Sequence, residues 1–173
     1  LSRFAELRGA PIRLRFLPDL HAGRGRLNSG GAGQAVHAGS FVRSRRMVLD
    51  SCLLAKPREF ARIVVHELFH FAWVRAGNPV RLSWERVLLG EAGRGARGEL
   101  GWSAEMRKAA LKPLDAARRT QRWREYACES FCDTAAWLLA GPERHDEFTL
   151  AQRARARRAA WFHNLAGRGA ISI

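Results

Sequence analysis

Long apolar runs are missing from this chain of 173 residues. The two richest stretches, around Ile63 to Val74 and Phe131 to Ala140, are broken by His66, Glu67, His70 and Asp133. Neither reaches the roughly 18 residues that a membrane-spanning helix needs, so no membrane role is expected. Cysteine is scarce as well. Cys52, Cys128 and Cys132 are too few and too unevenly placed for a disulfide-stapled secreted domain. With no basic and apolar leader visible at the start, a reducing, cytoplasmic setting is the expectation. Cys128 and Cys132 stand one helical turn apart, but no second pair completes a four-ligand structural zinc site, so they read as buried thiols. The glycine-rich stretch from Ala22 to Gly39 contains neither GxxxxGK[ST] nor GxGxxG, which removes the common phosphate-cradling loops.

What is present fits one domain over residues 1–173, with 47% apolar and 27% charged residues and a single core. The net charge of +14 raises the question of nucleic acid or acidic partners. Of the 30 basic residues 27 are Arg, spread from Arg3 to Arg168, and the densest runs hold few aromatics at stacking positions. A non-catalytic sensor or a basic nucleic-acid-associated binding module is therefore the alternative and not the leading reading.

Residues 11 to 17 alternate Ile12, Leu14 and Phe16 with Arg13 and Arg15, which predicts a strand with one buried face, ended by Pro18-Asp19. Residues 22 to 39 read as a connector. Strands follow over 35–42 and 45–50, forming a hairpin that turns near Ser44. Pro57 opens a helix that runs to about Ala76, stopped by Gly77-Asn78-Pro79, with Phe60, Val64, Leu68 and Phe71 as its core face. Further helices are expected over 79–90, 102–112, 116–140 and 143–165, with Gly93, Gly95 and Gly98 in a loop between the first two. Strands first and helices afterwards predict an α+β fold with a small N-terminal sheet.

Within the first helix lies His66-Glu67-Leu68-Phe69-His70. Residues four apart on a helix differ by about 40° around the axis and ~6 Å along it, so both imidazoles leave one face and can share a zinc ion. Glu67 stands a further ~100° round, within reach of water at the metal without binding the metal itself. Val64 and Leu68 point elsewhere, so the histidine face must look into a cleft or solvent. Trp73 and Ala76 stand where the glycine and third histidine of the longer HExxHxxGxxH motif would be, which excludes that arrangement. The third ligand must therefore lie downstream. Glu91 is followed by Ala92-Gly93-Arg94-Gly95, a poor helix, whereas Glu125 and Glu129 lie one turn apart in a helical segment. One carboxylate of such a pair can bind zinc while the other holds the free N–H of a zinc histidine.

With HExxH on one helix and Glu125-Tyr-Ala-Cys-Glu129-Ser-Phe131 on a later one, the sequence resembles the gluzincins, zinc peptidases whose second motif often reads E-x-x-x-[DNE]-x-F. The resemblance implies a zincin-like fold, with a cleft-edge strand able to pair with an extended substrate. It also implies peptide-bond hydrolysis by a metal-activated water, with Zn²⁺ as cofactor and a peptide or protein as substrate. It makes Glu125 the ligand beside His66 and His70, Glu129 its supporting acid, Phe131 the packing residue and Glu67 the general base. A second register, Glu129 with Asp133, repeats the same spacing one turn later and stays open. The resemblance further implies an oxyanion donor, for which His145 and His163 are the candidates, Tyr126 lying ~100° round from Glu125.

Overall fold

The computed structural model describes residues 6–31, 33–140 and 145–173. In chain order the elements are β1 (Leu7–Arg8), β2 (Arg13–Leu17), β3 (Leu20–Gly23), β4 (Arg26–Ser29), β5 (Gln34–Ala35), β6 (Ala38–Phe41) and β7 (Arg46–Asp50), then α1 (Pro57–Arg75), α2 (Asn78–Ala92), α3 (Trp102–Ala109), α4 (Gln121–Leu139), α5 (Gln152–Ala166) and β8 (Ile171–Ser172). The architecture is α+β, a small strand region ahead of a helical half. Among the described residues no helix is long and apolar enough to cross a membrane.

Among the described residues three small sheets form. The central one has the order β2-β7-β6, with β2 parallel and β6 antiparallel to β7. The expected hairpin is present: a 3-10 turn at Val42–Ser44 and Arg45 in the left-handed region reverse the chain between β6 and β7. The stretch expected as a connector instead folds into β3, β4 and β5, paired in the order β4-β3-β5. Arg24 (φ 49°) and Gly25 (φ 73°) close the β3–β4 hairpin, the two consecutive positive φ values that suit the right-handed twist of the flanking strands. Those strands lack the apolar alternation that would have revealed them because most of their residues are exposed or half-buried. The short pair β1 and β8, parallel and joining the two ends of the described chain, was likewise not signalled by pattern.

The buried face expected of β2 is corrected. Leu14 is 51% and Phe16 37% exposed, because β2 is an edge strand and α1 packs on β6 and β7 instead. There Met47, Leu49, Leu53 and Phe71 form a buried cluster with Phe60, Ile63, Val64 and Leu68 against it. The predicted apolar stripe of α1 is thus its sheet-facing side. A second apolar side, Phe69, Ala72 and Trp73, meets α2, α4 and α5 in the larger core with Trp84, Trp123, Phe131 and Phe162. Phe131 sits at its centre, its ring 5.6 Å from Phe69, 5.2 Å from Trp73 and 5.0 Å from Phe162. Burial of one such ring contributes about 2–3 kcal/mol, and it fixes how α4 lies on α1.

Pro57 occupies the first turn of α1, and Asn78 and Pro79 begin α2 after a sharp break at Gly77. The helix expected from 116 starts only at Gln121, because Arg119 takes a positive φ and Asp115 holds the Lys112 N–H (2.8 Å) and the Thr120 hydroxyl (2.7 Å) in a turn. The helix expected from 143 starts at Gln152. Residues 141–144 lie outside the described residues, and the segment after them is tied down by Thr149 and Leu150 N–H groups that both donate to the Glu99 carbonyl at 2.9 Å.

A buried ion network joins the helical half. Arg158, fully buried on α5, bonds Glu91 at the end of α2 (2.7 Å) and Glu99 before α3 (2.7 Å), and the Tyr126 hydroxyl donates to Glu99 at 2.5 Å. Desolvation works against each charge, and mutual pairing inside the cluster compensates it. Glu91, weighed above as a possible ligand, is committed to this network, and Tyr126 faces into it.

Candidate metal centre

α1 and α4 run antiparallel across the core, so that successive turns of the two helices face each other. The His66 turn meets Asp133 and Glu129, and the His70 turn meets Glu129 and Cys128. His66 Nε2 lies 3.2 Å from His70 Nε2 and 3.3 Å from Glu129 Oε2, and His70 Nε2 lies 3.8 Å from that same oxygen. Four-coordinate zinc with bonds of about 2.0–2.1 Å separates its ligand atoms by about 3.3 Å. The triangle of donors has that size.

Asp133 Oδ1 accepts from His66 Nδ1–H at 2.7 Å. This fixes the tautomer and leaves the Nε2 lone pair aimed at the triangle. Burial opposes a charge on His66, but Asp133 and Glu129 outweigh it and hold its pKa well above the ordinary histidine range. Glu129 is pushed up by burial and pulled down more strongly by its bond to His66 and the charge of His70, and ends below the usual carboxylate range. The second oxygen of Asp133 accepts from the Ala104 N–H at 3.0 Å, at the start of α3, where the helix's partial positive charge also favours an anion. Gly101 makes that approach possible: a Cβ there would stand 2.3 Å from Asp133 Cγ.

Glu125 is not brought to the histidines. One turn before Glu129, it has passed His70 by ~6 Å along the helix and bonds Arg107 (2.5 Å) and Gln121 (2.8 Å) at the surface. The acid pair that faces the histidines is Glu129 with Asp133, the second register. Phe131 packs as expected, but with its aromatic cluster setting the rotation of α4. Phe131, the aromatic that ends the E-x-x-x-[DNE]-x-F pattern begun at Glu125, belongs to the core and does not mark the histidine-facing carboxylate.

Glu67 is buried, and its Oε2 has no hydrogen-bond partner. An orphaned carboxylate oxygen is costly unless something is bound there, and here it lies beside the donor triangle. Its backbone carbonyl accepts from the Ser40 hydroxyl at 3.2 Å, which fastens β6 to α1 at the motif. His66, Glu67 and Asp133 lie on the floor of a cleft of about 350 Å³. The segment Gln34–Ala38 forms one wall and Trp102, Ser103 and Glu147 the other, with Arg62 and Ile63 one turn ahead of the histidines. Arg62 is occupied, pairing with Glu59 and with Glu147 at 3.1 Å.

Neither His145 nor His163 is among the residues lining the cleft. His145 Nε2 lies 3.4 Å from Glu59, near the start of α1, and His163 is exposed on α5. Besides His66, the histidine that lines the cleft is His37. It leads into β6, and the expected position of that strand along the cleft was the signal that could have found it.

Behind His70, Nδ1 lies 3.5 Å from the Cys128 thiol. A hydrogen bond from Cys132 and the neighbouring His70 lower Cys128 to about 6, against burial, while burial and Cys128 push Cys132 well up. The residues predicted as plain buried thiols therefore contact the site. Comparison with protein-family models, with curated proteins and with solved structures gives no match, so the chemistry of this centre is carried by the geometry of its own residues.

Proposed function

We propose that the chain is a zinc-dependent peptidase of zincin-like, gluzincin type, with His66, His70 and Glu129 as the ligands. The observation that carries this is the triangle of Nε2, Nε2 and carboxylate oxygen with edges of 3.2, 3.3 and 3.8 Å beside the unpartnered Glu67 Oε2. Three protein donors, with His66 and the neighbouring Glu67 lining the cleft, suit a catalytic rather than a structural zinc. Zinc held there supplies a Lewis acid that polarises a carbonyl and eases deprotonation of water.

The remaining steps belong to the chain. Glu67 would accept a proton from water at Oε2, the carboxylate oxygen that no other group bonds. Asp133 keeps His66 in one tautomer and orientation, so the donor triangle is assembled before any ligand arrives. The segment Gln34–Ala38 and strand β6 give the cleft an extended backbone edge along which a peptide can align, and Trp102 offers an apolar surface opposite. A strand region preceding the motif helix, with its edge on the cleft, is the order a zincin requires.

The test is hydrolysis of a quenched peptide library by wild type and Glu67→Gln, with zinc content measured on the same samples. Glu67→Gln should keep its zinc and lose ~100-fold or more of the turnover. Equal turnover by both, or no turnover by zinc-loaded wild type across the library, would overturn the peptidase reading.

A further inference from the structure

α4 carries two pairs of donors, each one turn apart and displaced from each other by a single residue: Glu129 with Asp133, and Cys128 with Cys132. The carboxylates face His66 and the Nε2 side of His70. The thiols face the opposite edge of the His70 ring, so that one imidazole stands between a hard, oxygen-bearing pair and a soft, sulfur-bearing pair. We propose that Cys128 Sγ, Cys132 Sγ and His70 Nδ1 form a second metal site, suited to a thiophilic d¹⁰ cation and back to back with the His66, His70 and Glu129 centre. It shares His70 with the zinc site proposed above, but its own donors do not depend on that site's activity.

Three features support it. The three donor atoms all lie within 4.8 Å of one another. The 3.5 Å separation of His70 Nδ1 and Cys128 Sγ matches the ~3.6 Å edge of a tetrahedral site with metal–sulfur bonds near 2.3 Å and metal–nitrogen bonds near 2.05 Å. Cys132 is fully buried next to them, and its hydrogen bond to Cys128 holds the two sulfurs together on the His70 side of α4. Two sulfurs and one nitrogen in a largely dry setting select soft ions over magnesium or calcium. Binding displaces the thiol protons to solvent, as thiolates are the ligating form, and when both sites are filled the shared His70 ring also gives up its N–H proton and bridges the two ions as imidazolate. The second CxxxC pair that a four-cysteine site would require is replaced by the far side of a histidine from another helix.

The experiment uses the full chain carrying Cys52→Ser, which removes the exposed third thiol, and Cd²⁺ as the probe. Titration should produce the ultraviolet thiolate-to-cadmium absorption with one equivalent bound, and should protect both remaining thiols from a thiol-specific reagent. Cys128→Ser and Cys132→Ala should each weaken this binding at least tenfold, circular dichroism showing that both variants are folded. Glu129→Gln, which disables the zinc centre, should retain the cadmium absorption. The proposal is overturned if folded Cys128→Ser or Cys132→Ala keeps the full signal, if Glu129→Gln abolishes it, or if wild-type thiols stay equally reactive with and without cadmium. Failure of the zinc centre alone would show as zinc binding unchanged by Glu129→Gln with the cadmium absorption intact.

Discussion

Replacing Gly101 with alanine should weaken zinc binding although Gly101 is no ligand. Its backbone is extended, at φ 177°, so any residue could adopt it, and the cost comes entirely from space. The new methyl carbon would lie 2.3 Å from Asp133 Cγ and 2.4 Å from both carboxylate oxygens, where van der Waals contact requires about 3.5 Å. Either Asp133 or the start of α3 must retreat by about 1 Å. Asp133 is held from both sides, by His66 Nδ1 at 2.7 Å and the Ala104 N–H at 3.0 Å, so a retreat of that size breaks one of these bonds. Loss of a carboxylate that orients a metal histidine costs about 10- to 100-fold in affinity, and overpacking of this kind about 1–3 kcal/mol of stability. Competition with a zinc chelator and thermal denaturation of the metal-free chain measure the two effects separately. The decisive comparison places Gly101→Ala in an Asp133→Ala background: if the glycine acts through that carboxylate, its effect on affinity should there be within about twofold of none. Wild-type zinc affinity in Gly101→Ala alone, or an undiminished effect without Asp133, would refute the reasoning.

Three further outcomes are expected. Arg158→Leu leaves Glu91 buried without its cation and Glu99 with Lys108 alone, and chemical denaturation should show a loss of about 3–5 kcal/mol; a change below about 1 kcal/mol would mean the network is neutral. Because His66 is raised well above the ordinary range and His70 to about 9, both hold protons that zinc must displace. Zinc affinity should therefore rise with pH, by about tenfold or more per unit from about pH 5 towards neutrality. The sign for the metal-free fold is opposite: the contribution of the raised His66 is fully present below its unfolded pKa and is lost as pH rises through the folded one. A pH-independent zinc affinity from chelator competition would contradict this assignment. Finally, Arg107→Ala frees Glu125 from its surface partner and should leave zinc affinity within about twofold of wild type, since exposed pairs contribute little and Glu125 is a turn away from the site.

Much of the helical half was legible because its signals are local. Pro57, the Gly77-Asn78-Pro79 break and the apolar period of residues 60–71 define α1 to within a residue of its observed end. The four-residue spacing of His66 and His70 sufficed to place both rings on one face. Which carboxylate meets them was not local information. It depends on how α4 is rotated and shifted against α1, and that is set by Phe131 and its neighbours from four helices, so a pattern based on the position of an aromatic pointed one turn too early. The exposed hairpin of β3 and β4 escaped for another reason: strands with little burial carry no alternation, and only the Arg24-Gly25 turn marks them. His37 and the thiols behind His70 became visible as parts of the site only once the tertiary packing had assembled it.

The central claim is that His66, His70 and Glu129 hold one zinc ion, and the most direct measurement is zinc stoichiometry and affinity for a parent chain, Glu129→Gln and Glu125→Gln prepared in parallel. Measured in a Cys128→Ser, Cys132→Ala background so that only this centre takes zinc, the parent and Glu125→Gln should each bind one zinc per chain with affinities within about twofold of each other, and Glu129→Gln should lose at least two orders of magnitude, the loss expected when a charged ligand in a buried site becomes neutral. Equal zinc binding by Glu129→Gln and the parent, or a selective loss in Glu125→Gln, would contradict the account.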